Sequence, residues 1–245
     1  MIRYCRLCGE KLTSENKVQS HALTRATFFA PQKEIRPNSN HLEIYSKDKR
    51  FRDAGHYMTE YAFCKKCETK FSVWEQERNR LFKNSKRPVG TFTEKQYISE
   101  TGYENEFIRL SFVLDLYRCS VFESEPYSKI FLGDYHSERI KNILLKGCFE
   151  STSDYPAILA RYNNDYPLVN EISEMPQKMR MVDGVNVYRC FAPNGWTWFV
   201  KIDSRRHELF EKTSFVGGEI RILNLGSFKD SEDLMGIYRI VKQYS

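Results

Sequence analysis

Along residues 105–124, NEFIRLSFVLDLYRCSVFES, the apolar side chains Phe107, Leu110, Val113, Leu114, Leu116 and Tyr117 recur as one broad helical stripe. That spacing predicts a core-facing helix. DYHSERIKNILLKG (134–147) repeats the pattern and closes on a glycine, a helix stop signal. The spacing of Leu234, Ile237, Ile240 and Val241 in SEDLMGIYRIVKQY (231–244) predicts a final helix. Between these lie strand-like runs. NVYRCFAPNGWTWFVKID (186–203) sets Pro-Asn-Gly between two β-branched and aromatic runs, which predicts a hairpin. EIRILNLG (219–226) alternates as a strand does. Residues 1–85 read as short strands and loops followed by one helix. RPVGTFTEKQYISETGYE (87–104), with Pro, Gly, Ser and Thr among mixed charges, reads as a connection. The expectation is an α+β protein: a small N-terminal module over 1–86, the connection 87–104, and a larger mixed α/β C-terminal domain over 105–245.

Composition narrows the class. Apolar residues make up 41% and aromatics 14% of the 245, too many for a disordered chain. No apolar run approaches the ~20 residues of a membrane helix. MIRYCRLCGE lacks the apolar centre of a signal peptide, so the expected location is cytoplasmic. The net charge of +6 is unevenly spread: residues 1–100 hold 20 Lys and Arg against 12 Asp and Glu, and the rest hold 18 against 20. A basic segment of this kind suits a polyanion, although many such faces are only solvated.

The basic half also carries two matched cysteine pairs, Cys5-x-x-Cys8 and Cys64-x-x-Cys67. Each pair can aim two sulfurs at one tetrahedral ion, and together they complete a four-sulfur zinc site. Seven cysteines form an odd set, which fits reduced thiols, some on metal, better than a disulfide framework. Buried unliganded thiols or a redox pair are the bland alternatives. The 55 residues between the pairs exceed ordinary ribbon spacing, so something is built in the gap.

Inside that gap stands KVQSHALTRATFF (17–29). A CxxC, then Ser-His at a strand end, then a second CxxC leading into a helix resembles the HNH, or ββα-metal, nuclease family. The resemblance implies that His21 is a general base and that Cys5, Cys8, Cys64 and Cys67 hold a structural zinc outside the active centre. It also implies a catalytic magnesium or manganese ion and DNA as the partner. A neutral imidazole can take a proton from water near neutral pH, and a divalent ion can stabilise charge on the attacked phosphate. Arg25, Lys65, Lys66 and Lys70 would hold the nucleic-acid backbone.

The chain departs from the family pattern in places. Ser20 precedes the histidine where an acid is common, and Glu68 and Phe71 stand where Asn, His or basic residues are usual. The candidate ligands for a catalytic metal are therefore Glu68 and Glu75, on one side of the predicted helix, and Asn40 (with Asn38 and His41 beside it) in RPNSNHLEI.

Residues 1–160 are also similar in arrangement to bacterial proteins of poorly defined function that join such a head to a helical body, with Thr24 here in the place of their proline. By analogy with stand-alone nucleases carrying an extra body, this points to a restriction or phage-defence effector with further protein subunits. His136 and Glu138 in the body read as surface residues. Two other functions stay open: a non-catalytic zinc module binding nucleic acid or a partner protein, and a redox or zinc-sensing regulator.

Overall fold

The computed structural model describes residues 3–28, 43–45, 52–53, 59–86, 97–123, 130–163, 169, 173–180, 184–207, 210, 215–216 and 218–231. Asn38, Asn40 and His41 lie outside the described residues, as does the helix expected after Ser231.

The architecture is mixed α+β. Strand β1 (Ser20–His21) is followed by a single turn of helix, α1 (Arg25–Phe28), by β2 (Glu43–Tyr45) and β3 (Arg52–Asp53), and by β4 (Thr59–Glu60). Next come the long helix α2 (Lys65–Asn84), β5 (Tyr97–Glu100), α3 (Asn105–Val121) and α4 (Asp134–Lys146). The remaining strands are β6 (Ala157–Arg161), β7 (Ser173–Arg180), β8 (Asn186–Ala192), β9 (Trp196–Lys201), β10 (Phe215–Val216) and β11 (Glu219–Asn224).

β1 and β4 form a two-stranded antiparallel ribbon. The other nine strands form one sheet in the order β10-β11-β6-β9-β8-β7-β2-β3, with β5 also paired to β11. Two of its pairings, β11 with β6 and β2 with β7, are parallel. β5 falls within the segment read as a connection: Tyr97 to Glu100 run antiparallel to Leu223 to Ile220.

The helices form where the stripes predict them. α3 buries residues on every side, including Ile108, Leu110, Phe112, Leu114, Leu116 and Cys119, as a helix in the middle of a core does. α2 buries Cys67, Phe71, Trp74, Glu75, Arg78 and Leu81 along one face, which packs on α3. α4 ends at Gly147, whose φ of 82° is left-handed and whose N–H closes on the Ile143 carbonyl.

The predicted hairpin is β8–β9, with Asn194 and Gly195 both at positive φ in its turn. Trp196 and Trp198, two apart on one strand, point to the same face of the sheet. Trp196 stacks on Phe82 of α2 at 4.1 Å between ring centroids, and Trp198 meets Phe112 of α3 at 5.1 Å and Phe28 of α1 at 5.7 Å. A single hydrophobic cluster runs from Cys5 and Leu7 through these rings to Ile220 and Ile222. Among the described residues no helix is long and apolar enough to cross a membrane.

Candidate metal centre and the ββα unit

The two cysteine pairs meet although 55 residues separate them. The four sulfurs lie within 4.8 Å of one another, and they are the only group of three or more His, Cys, Asp or Glu ligand atoms so gathered among the described residues. Cys5 Sγ is 3.7 Å from Cys67 Sγ, and Cys8 Sγ is 3.7 Å from Cys64 Sγ. Sulfurs at the corners of a tetrahedron ~2.3 Å from its centre stand ~3.8 Å apart, so this spacing suits one ion.

Local backbone bonds build the cage. Cys5 N–H donates to Glu10 O at 2.7 Å and Gly9 N–H to Cys5 O at 2.9 Å, closing the first knuckle. Arg6 N–H donates to Ala62 O at 2.8 Å, tying that knuckle to the second. Cys64 caps α2 and Cys67 lies in its first turn, where the helix dipole favours thiolate. Contact with the Cys67 thiol holds Cys5 down to about 4. The same contact, with burial, pushes Cys67 far up, and burial pushes Cys64 up to about 11. Four thiols this close oppose one another's ionisation, and a bound cation would let all four ionise. The other three cysteines, Cys119, Cys148 and Cys190, are free thiols outside this cage.

Directly behind the cage, β1, β4 and α2 make a ββα unit. Ser20 pairs with Glu60 and His21 with Thr59, and the chain then passes through Cys64 into the helix. Ser20 is buried, while His21 is half-buried. Glu68, one turn into α2, lies beside Ser20. The serine hydroxyl helps to hold its acidity, but burial dominates and raises its pKa. Neither Ser20 Oγ nor Glu68 Oε1 has a hydrogen-bond partner of ordinary geometry.

The other Glu68 oxygen, Oε2, accepts from Arg118 Nη2 at 2.8 Å. Arg118, 97% removed from solvent on α3, also pairs through Nη1 with Glu75. Glu75 accepts in turn from the Thr24 hydroxyl, and Thr24 accepts from Arg78 Nη2 at 2.8 Å. Arg78 completes the chain with a fully buried ion pair to Asp115.

The structure therefore gathers the four cysteines, and separately brings Glu68 and Glu75 onto Arg118, with Ser20 beside Glu68. Nothing in the sequence pattern points to Arg118, which sits 43 residues from Glu75 on another helix. Of the candidate phosphate-holding residues, Lys65 and Lys66 are exposed at the start of α2. Lys70 instead donates to the Leu145 carbonyl at 2.6 Å, at the end of α4. Arg25 opens α1, and its side chain is not among those described. His136, read as a surface residue, is half-buried with Nδ1 3.0 Å from the Tyr155 hydroxyl. Glu138 is exposed, 3.4 Å from Lys141.

The chain matches no known family, no curated protein and no solved structure.

Proposed function

We propose that the protein is a metal-dependent endonuclease of the HNH type that hydrolyses DNA phosphodiester bonds. His21 is its general base, and a zinc ion on Cys5, Cys8, Cys64 and Cys67 holds the module in shape. The observation that carries this reading is the pairing of Ser20–His21 with Thr59–Glu60, together with the approach of Ser20 to Glu68 in the first turn of α2. Zinc closed by four protein sulfurs has no open position for substrate, so its part is structural.

His21, half-buried on a short strand, can accept a proton from an attacking water while neutral. A magnesium or manganese ion would supply charge stabilisation at the phosphate. Glu68 Oε1 and Ser20 Oγ, side by side, are hard donors of the type it takes, and one or two carboxylates suffice because such ions keep several waters. Glu75, held by Arg118 and Thr24, orients Arg118 and so positions Glu68. Lys65 and Lys66 meet the nucleic-acid backbone by charge alone. A role as a bacterial defence or restriction effector working with other subunits rests on analogy with nucleases that carry an extra body.

The second reading is a zinc-held module that binds nucleic acid or a partner protein without cutting. Arg118 favours it, since one guanidinium engages both glutamates. Plasmid cleavage with magnesium or manganese, comparing wild type with His21→Ala at equal zinc content by metal analysis, separates the two. The nuclease predicts about one zinc per chain and metal-dependent cutting that falls at least ~100-fold in the variant. Full zinc with no cutting and intact salt-sensitive DNA binding would assign the binding module.

A further inference from the structure

The outer face of the cysteine knuckles carries two exposed tyrosines, and each stands beside a lysine. Tyr4, 56% exposed, bridges Lys11 across the antiparallel turn of the first knuckle. Side chains directly opposite across such a bridge lie on one face, with Cβ atoms ~5 Å apart. Tyr61, 42% exposed, directly follows β4, and Lys17 Nζ lies over its ring, 5.0 Å from the centroid. Arg6 N–H donates to the Ala62 carbonyl, so the two pairs stand on hydrogen-bonded neighbouring segments. Tyr4 is two residues from Arg6 and Tyr61 is next to Ala62, which keeps their Cα atoms within ~16 Å. Exposure alternates along the first segment: Tyr4, Arg6 and Cys8 face outward, while Cys5 and Leu7 are buried.

This face also has spare cations. Residues 3–17 and 61–66 hold six Lys and Arg against two acids, Glu10 and Glu15. Arg6 is committed to Glu123, and Glu10 accepts from Asn16 Nδ2 at 3.0 Å. Lys11, Lys17, Lys65 and Lys66 are exposed, and none of them forms an ion pair among the described residues. Backbone pairing sets Lys17 beside the start of α2: Lys17 bridges Cys64, and Lys65 N–H donates to the Asn16 carbonyl at 2.7 Å.

We propose that this face binds single-stranded DNA, with bases stacked on Tyr61 and Tyr4 and phosphates on Lys17, Lys11 and Lys65. Rings interleaved with lysines match the two halves of each nucleotide in a strand. Every base has a π-face, so such stacking tolerates any sequence, and ammonium groups follow the backbone by charge. A duplex keeps its base faces inside the stack and offers these rings only its backbone. The proposal rests on DNA as the partner, and not on its being cut.

The test is fluorescence anisotropy of the full-length, zinc-loaded protein without added magnesium or manganese. The probe is a labelled 12-nucleotide DNA, offered as single strand, as duplex, and as a single strand whose central half is abasic. Tyr61→Ala, Tyr4→Ala, Tyr61→Phe and Lys17→Gln are measured alongside, once their zinc content and melting curves match wild type. The intact strand should bind at least ~fivefold more tightly than the duplex or the abasic strand, a comparison that leaves the protein unaltered. Each tyrosine-to-alanine change should weaken strand binding about tenfold, and Tyr61→Phe by less than ~twofold. Lys17→Gln should lower the slope of log affinity against log salt by ~0.7. Equal affinity for strand and duplex, a Kd indifferent to both tyrosines, or no binding of any probe would overturn the surface. Strand binding of the expected kind without plasmid cutting would sink the nuclease reading and keep this face. Plasmid cutting with a Kd indifferent to Tyr4 and Tyr61 would do the reverse.

Discussion

Arg78 and Arg118 are the cations on which the interior turns. Each is fully or almost fully buried, and each is neutralised by carboxylates from the other helix: Asp115 for Arg78, Glu68 and Glu75 for Arg118. Burial lifts Asp115 to about 6, against the pull of Arg78, which acts to lower it. A carboxyl whose folded pKa lies above its unfolded value of 3.8 binds more protons in the native state between those limits. Its contribution to stability is therefore fullest below pH 3.8, falls as pH rises towards 6, and is flat above. Asp115→Asn cannot titrate, so the stability of wild type relative to the variant should drop by about 2 kcal/mol between pH 4 and pH 6.5. Urea denaturation of both proteins at several pH values measures that difference and cancels effects, such as metal loss in acid, that the two share. A difference that rises with pH would mean that the ion pair with Arg78 outweighs burial. The sequence shows Glu68 and Glu75 on one side of a helix, but helical spacing is silent about a guanidinium arriving from another helix.

At the scale of single elements the reading from sequence is closest to the structure. α2, α3, α4, the β8–β9 hairpin and β11 are each set by local signals: a stripe, a stop glycine, a turn, an alternation. The hairpin turn shows how tightly such a signal can bind. Gly195 has φ 77°, and a Cβ placed there would stand 3.0 Å from the Tyr162 carbonyl oxygen and 3.2 Å from Val169 Cγ2. The first is backbone, and the second ends a short β-branched side chain that is stiff at χ1. Gly195→Ala should therefore cost about 1–3 kcal/mol through strain and crowding together, and a fall in melting temperature is the readout. An unchanged melting temperature would mean that the loop around Tyr162 yields without loss.

β5 is the element the sequence obscures. Tyr97 to Glu100 sit in a Pro-, Gly- and Thr-rich stretch, yet they find hydrogen bonds on β11, a strand more than a hundred residues away. Pairing of that kind depends on the rest of the sheet being present, and no window of local composition contains it.

The molecule as a whole is built across the boundary that composition suggests near residue 86. Phe28 and Phe82 from the N-terminal part cover Trp198 and Trp196 from the sheet, with Phe112 of α3 completing the stack. The buried ion pairs cross the same line: Arg78 reaches Asp115, and Glu68 and Glu75 reach Arg118. Suppose residues 105–245 are produced alone. The two tryptophans then lose their cover, exposing on the order of 200–400 Å² of apolar surface, about 5–10 kcal/mol of lost stabilisation.

Asp115 and Arg118 also lose their ion-pair partners on α2 and keep only their attraction for one another, a loss of several kcal/mol while they stay buried. Native domains hold only ~5–15 kcal/mol in total, so either loss consumes most of the margin and both together exceed it. The isolated 105–245 fragment should therefore lack a cooperative thermal transition and bind an apolar dye, whereas the full chain melts cooperatively. Adding Asp115→Leu and Arg118→Met to the fragment would remove the stranded charges but not the bare tryptophans, and should recover only part of the order. A wild-type fragment that melts cooperatively and leaves the dye unbound would show instead that the sheet and α3 form a self-sufficient unit. The ββα unit would then be an appendage on it, free to be exchanged without disturbing the sheet.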